Sequence, residues 1–220
     1  MGQIDIKNSH FTGPDGNRYF RRNSIELGIG KYGEKKTPIT QANSLEVDGG
    51  ISAALLEGKI RKSQPYEIDW SKESQADVTG SASLFFNLEG TADFTLNRAR
   101  EAKLKLVRFH IEGADLATAL NNDKGALAEM KREGNDARVC SSVWVVMSGE
   151  LAHRFESSVR LSVSGNAGAL QLGVEGGGAW KGEEKITLSA GTIFAYGLHK
   201  IDKWKGDLAG TMESDWHSFG

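Results

Sequence analysis

Residues 137–151 read ARVCSSVWVVMSGEL. In an extended chain Val143, Val145 and Met147 fall on one face, and Trp144 and Val146 on the other. A strand with one solvated face alternates apolar and polar residues, whereas one that is apolar on both faces is covered on both. The stretch therefore predicts a strand at the centre of a sheet, and its neighbours have to come from the segments around it.

Upstream, KLKLVRFHIEG (103–113) predicts a strand over Lys103–Ile111. Before it, SASLFFNLEGTADFTLN (81–97) alternates: Ala82, Leu84, Phe86 and Leu88 share a face, Gly90 interrupts, and Ala92, Phe94 and Leu96 resume. Period-2 runs on either side of a glycine predict a β-hairpin. Downstream, VRLSVSGNAGALQLGVEGGGAW (159–180) has the same character. Val159, Leu161 and Val163, then Leu170, Leu172 and Val174, make one apolar face, with turn residues at Gly165–Gly168 and an end or bend at Gly176–Gly178. SAGTIFAYGLHKI (189–201) predicts a further strand, and the run after Asp202 reads as a polar tail.

Between the strands, Leu116, Leu120, Leu127 and Met130 recur near helical spacing over 114–133, with Asn121, Lys124, Lys131 and Arg132 opposite. The Asn-Asn-Asp before Gly125 divides this region in two, with Asp123 as an N-cap and Gly134 closing the second piece. In the first 65 residues, Ile4–Lys7, Ser24–Ile29 and Ser44–Val47 are short strand candidates, Gly13–Asn17 (GPDGN) is a turn, and GKYGEKKTP is an exposed loop. GGISAALLEGKI (49–60) fits a short helix or a buried strand. The expected fold is α+β: one domain with a mainly antiparallel, twisted β-sheet and a helical insertion at 114–133.

Composition excludes several classes. The chain has 220 residues, is 39% hydrophobic and 25% charged, and carries a formal net charge of −2, so no global attraction to nucleic acid is expected. Its 27 glycines against 3 prolines suit a turn-rich β protein. A single cysteine, Cys140, makes no internal disulfide and no cysteine zinc set. MGQIDIKNSH lacks the basic-then-apolar order of a secretory signal and no apolar run is long enough for a spanning helix, so the expected location is cytoplasmic.

No motif names a reaction, and the chain is expected not to be an enzyme. GIGKYG (28–33) has the spacing of a dinucleotide loop but is followed by Glu-Lys-Lys-Thr-Pro rather than a helix. The glycines of 176–182 are not followed by the Lys-Ser/Thr of a phosphate loop. His10, His110, His153, His199 and His217 are far apart, and no metal-ligand spacing joins them. No catalytic residue, metal or cofactor is expected. A hydrolase would need dispersed residues, such as His110, His153, His199 and Cys140, to meet in a pocket.

One basic stretch stands out: Arg98, Arg100, Lys103, Lys105 and Arg108, interrupted by Glu101 alone. It is either a solvated strand face or a contact for acidic lipid headgroups. Aromatic residues are not interleaved through it as a nucleic-acid stacking platform requires, so acidic lipid is favoured over nucleic acid if the stretch is a contact at all. The alternating hairpins leave a parallel choice open. An apolar/polar alternation suits a sheet packed on a core and also a β-barrel wall in a bilayer.

The order of helical insertion, central apolar strand, alternating hairpin and then Gly191, Thr192, Phe194, Ala195 and Tyr196 resembles the pore-forming domain of the gasdermins, in particular the bacterial type. The resemblance covers residues 80–201, and residues 1–65 have no counterpart in it. Bacterial members carry a lipidated cysteine near the N-terminus, whereas the cysteine here is Cys140. The resemblance implies a protein folded in water at first, whose C-terminal segment is released by a protease. It would then assemble as a homo-oligomer, with Leu84, Phe86, Leu88, Phe94 and Leu96 of one hairpin and Val159 through Val174 of the other turned toward lipid. The alternative from the residues alone is a β-sandwich or barrel that forms a homo-oligomeric structural or binding module, as in a phage or secretion-system component.

Overall fold

The computed structural model describes residues 5–6, 10–21, 27–36, 44–67, 103–158, 160–166, 169–176, 182–188 and 193–215. The expected hairpin at 81–97, with Leu84, Phe86, Leu88, Phe94 and Leu96, lies outside them, as do Arg98, Arg100, Val159 and the Gly191-Thr192 pair.

The chain runs through β1 (Asp5–Ile6), β2 (His10–Thr12), β3 (Arg18–Phe20), β4 (Lys31–Lys36), β5 (Ser44–Gly50), α1 (Ala53–Leu56), β6 (Ile60–Lys62), β7 (Tyr66–Glu67) and β8 (Lys105–Ile111). It continues through α2 (Gly113–Asn122), α3 (Lys124–Glu133), a 3-10 turn (Gly134–Asp136), β9 (Ala137–Met147) and α4 (Gly149–Ser157). It ends with β10 (Arg160–Asn166), β11 (Ala169–Glu175), β12 (Glu183–Leu188), β13 (Ile193–Lys205) and β14 (Leu208–Asp215). The result is an α+β fold dominated by antiparallel sheet.

All 11 residues of β9 are buried, as its two-faced apolar sequence requires. β13 runs along one edge, pairing Tyr196 with Val143 and Gly197 with Ser142. The other edge is shared. β4 takes its start (Tyr32 to Val139, Glu34 to Ala137), and β8 takes its end (His110 to Ser142, Lys105 to Met147). Gly30 N–H donates to the Cys140 carbonyl at 2.8 Å where the two neighbours part. β13 divides its outer edge likewise, between β3 at Tyr196 and β14 from Leu198 onward. The main sheet therefore forks at both of its long strands.

Register sorts the side chains by face. Phe109, Val143, Tyr196 and Phe20 form a row across β8, β9, β13 and β3. That row belongs to the large core, which also holds Leu116, Leu120, Leu127 and Met130 of α2 and α3, Phe155 of α4 and Leu172 of β11. Each such side chain stabilises the fold by about 1.5–3 kcal/mol relative to leaving it in water. The opposite face carries Arg108, Trp144, His110 and Ser142. There Trp144 is the hub of an aromatic group, with ring centroids 5.0 Å from Phe11, 5.4 Å from Tyr19 and 5.8 Å from Tyr66.

The helical region divides where the sequence divides it. Asp123 Oδ1 accepts from Ala126 N–H at 3.1 Å, which caps α3, and Gly134 closes it at φ 61°. GGISAALLEGKI resolves into both of its readings, α1 and then β6. Other expectations change. KYGEKK is β4, paired on both edges, instead of part of an exposed loop. Its Gly33 is required by close approach, since a Cβ there would lie 1.8 Å from the Glu46 carbonyl oxygen. Residues 27–30, expected to end a strand, are coil and turn, with Gly30 at φ 85°. Residues 149–157 are helix, capped by Ser148 Oγ accepting from Leu151 N–H at 3.2 Å. The run after Asp202 is sheet through Asp215: β13 extends to Lys205, turns at Gly206 (φ 62°) and returns as β14.

Candidate functional site

Three features compete for the role. The first is the hairpin Arg160–Glu175, which with β12 forms a second sheet in the order β10–β11–β12. Its register places Leu161 opposite Val174 and Val163 opposite Leu172, with Leu172 opposite Ile186 in turn. The alternation read from the sequence is thus one continuous apolar face. Val163, Leu170, Leu172, Val174 and Ile186 are buried, and Leu161 packs against the core from its margin. α1 and β6 lie against β10. Lys62 of β6 holds the approach to the hairpin by donating to the carbonyls of Phe155, Glu156 and Ser158 and to Ser158 Oγ. These carbonyls lie at the C-terminal end of α4, where a cation is favoured.

The second feature is the basic stretch. Lys103 is exposed, with φ 48°. Lys105 and Arg108 lie on opposite faces of β8, since they stand three positions apart. Lys105 pairs with Glu67. Arg108 Nη1 donates to Asp15 Oδ2 at 2.7 Å and to Tyr19 Oη at 2.6 Å. The stretch does not present these two cations as one surface.

The third is a polar cleft of about 140 Å³, assembled from residues far apart in the chain. It lies on the Trp144 side of the sheet, where the aromatic packing ends. Gly197 makes room for it, because a Cβ there would meet Ser142 Oγ at 2.5 Å and the Tyr19 ring at 3.3 Å. Tyr19, Arg108, His110, Glu112, Ser142, His199 and Ser214 contribute to its walls. His110 Nε2 is 3.2 Å from Glu112 Oε1, and His199 Nε2 is 3.2 Å from Ser214 Oγ. Among the described residues, neither ring's Nδ1 has a hydrogen-bond partner, nor does Arg108 Nε, and all three atoms are buried. Burial first, and then the Arg108 charge, hold His110 below the ordinary histidine pKa; burial does the same to His199. Tyr19 is pushed well above the ordinary phenol value by burial and by its hydrogen bond to Asp15.

Of the four dispersed residues named as hydrolase candidates, His110 and His199 do line this one cleft, and the register through Ser142 is what brings them together. His153 is exposed on α4, and Cys140 is fully buried in the core, where burial pushes its thiol up to about 12. Cys140 is thus a packing residue that stays protonated near neutrality. Among the described residues, no group of three or more His, Cys, Asp or Glu side chains is arranged to hold a metal ion, and no helix is long and apolar enough to cross a membrane. The Gly28–Gly33 segment leads into β4, so no helix N-terminus stands behind it.

No protein-family model, no curated protein and no solved structure matches the chain.

Proposed function

We propose that this protein permeabilises membranes in the manner of the gasdermin type, and that it is held folded in water until its C-terminal segment is released. The observation that supports this most is the separateness of the β10–β11–β12 sheet. Among the described residues it shares no ladder with the main sheet, so its hairpin can leave without breaking the pairing of β9 or β13. Its apolar face is already continuous, and exchanging protein core for lipid behind that face keeps every cross-strand hydrogen bond of the hairpin.

Two physical requirements then shape the mechanism. β10 and β11 are 7 residues each, while a tilted spanning strand takes about 9–11, so the wall draws in residues flanking both strands. A bilayer also tolerates no open strand edge, so hairpins from neighbouring copies must pair, and the working form is a homo-oligomer. Acidic lipid is the proposed target, with Lys103 and the residues preceding it as the first contact.

The retaining element is β14. It pairs with β13, α2 packs along it, α1 packs on α2, and β10 packs on α1. Release by a protease is best placed at the β13–β14 turn, where Trp204 and Leu208 are exposed. The test is dye leakage from phosphatidylserine and phosphatidylcholine vesicles, using the intact chain and the chain nicked between Lys205 and Leu208. Leakage from the acidic vesicles after nicking is expected. Neither leakage nor vesicle association in either form sinks the reading.

The cleft favours a second reading, a binding module folded in water. That reading expects stabilisation by a small ligand and no leakage at all.

A further inference from the structure

We propose that the cleft between β3, β8, β13 and β14 is a binding site for a small oxyanion, a sulfate- or phosphate-like group, and that binding draws protons onto His110 and His199. The proposal does not rest on the membrane reading, since none of these residues belongs to the β10–β12 sheet, and because Ser214 lies on β14 it is a proposal about the intact chain.

The argument begins with hydrogen-bond capacity. Buried polar atoms are nearly always paired, so three unpaired ones on residues lining one cleft need an explanation. They are Arg108 Nε, His110 Nδ1 and His199 Nδ1. Arg108 donates only. Each histidine has one ring nitrogen engaged, so protonation turns the other into a second donor. The Ser142 hydroxyl stands on the same wall, while the Tyr19 phenol is committed to Asp15, to which it donates at 2.6 Å. A site rich in donors suits a ligand rich in acceptors. About 140 Å³ admits a tetrahedral oxyanion.

The surrounding charges explain why the site requires protons. Arg108 is matched by Asp15, and Arg61, across from His110 on β6, is paired with Asp115. Glu112 adds one negative charge beside His110. On β14, Glu213 and Asp215 flank Ser214 but are engaged by Lys200 and by Lys35 with Arg138. With both histidines neutral the site has no surplus positive charge, and an anion gains little there. With both protonated it has that surplus, and the α2 N-terminus adds to it: Glu112, its N-cap residue, makes no side-chain cap. Anion and proton thus favour each other, and each proton taken up on binding makes affinity rise by about tenfold per pH unit of acidification.

Sulfate is the probe, because its charge does not change between about pH 5 and 8. Calorimetric titration of the folded chain at pH 5.5 and 7.5 should show saturable sulfate binding that is at least about tenfold tighter at the lower pH. Proton NMR should show the His110 and His199 ring signals titrating at higher pH with sulfate present. His110→Gln and His199→Gln keep one hydrogen-bonding group each but cannot ionise. The double variant, checked for an unchanged circular-dichroism spectrum, should lose the pH dependence. A second arm separates free anion from lipid headgroup. Sulfate that displaces the protein from phosphatidic acid vesicles points to a headgroup, and sulfate binding with no effect on vesicles points to a free anion. Both outcomes uphold the site. Absence of saturable binding at pH 5.5, or binding whose pH dependence survives in the folded double variant, overturns it.

Discussion

Asp215 shows how much a single side chain on this fold can hold. Its Oδ2 accepts from Lys35 Nζ at 2.8 Å and from Arg138 Nε at 2.6 Å, which ties the end of β14 to β4 and β9. Lys35 and Arg138 are slightly more buried than Asp215 itself, at 10% and 9% side-chain exposure against 13%. Burial alone would raise the Asp215 pKa, but the two cationic donors outweigh it and hold the carboxyl below its ordinary value. Asp215→Ala leaves two cations facing each other in a dry site, and the expected loss is about 3–5 kcal/mol, read from urea denaturation. A depressed pKa also fixes the sign of the acid response. The stabilisation is complete above the unfolded value of about 3.9 and is lost as pH falls through the folded one. Wild type should therefore lose stability through that acid window, and Asp215→Asn should flatten the loss. An equally steep acid limb in the variant would contradict the assignment. The histidines act in a higher window with the same sense. Both are held below the ordinary value, so the unfolded chain binds their protons first, and stability falls as pH drops from about 6.5 toward the folded pKa values.

At the scale of elements, the break between α2 and α3 carries more than its sequence signature shows. Asp123 Oδ1 caps α3, while Oδ2 accepts from the Ser52 N–H at 3.2 Å, just ahead of α1. One carboxylate thus serves two helix starts. Asp123→Ala should cost about 1–2 kcal/mol in chemical denaturation, toward the upper end for a lost cap. Asp123→Asn, which keeps an acceptor, should recover most of it. This pair of helices was legible because the periodicity, the cap and the closing glycine all agree. β9 was legible because Val143 to Met147 is apolar on both faces, and all eleven of its positions are buried. β4 was not, because Gly28, Gly30 and Gly33 look like a loop until Glu46 is seen against Gly33. α4 was obscured by the strong alternation that follows it, although Ser148 as a cap and Leu151, Ala152 and Phe155 at helical spacing mark it in retrospect. The cleft was hidden for a different reason. Tyr19, Arg108, Ser142, His199 and Ser214 come from five strands or strand ends, and only the forked pairing of β9 and β13 makes them neighbours.

The whole molecule divides into a large forked sheet and a small sheet resting on its core, and this division has a measurable consequence. β9 is paired on both edges and buried on both faces, so its amides exchange only when the main sheet opens. β10–β11–β12 is joined to the rest by side-chain packing, by the Arg154–Glu184 ion pair between α4 and β12, and by Lys62, bonded to the end of α4 that leads into β10, with no ladder to the main sheet among the described residues. Native-state hydrogen exchange should therefore find residues 160–175 opening as a unit at a lower free energy than 139–147. Lys62→Met keeps the apolar stem of the side chain and removes the ammonium that holds the end of α4. It should speed exchange across 155–166 several-fold while leaving β9 unchanged, because the lost bonds belong to the small sheet's attachment alone. Uniform acceleration across both sheets would show that the molecule opens as one body. The hairpin would then have no independent route off the core, and the membrane reading would lose its main structural support.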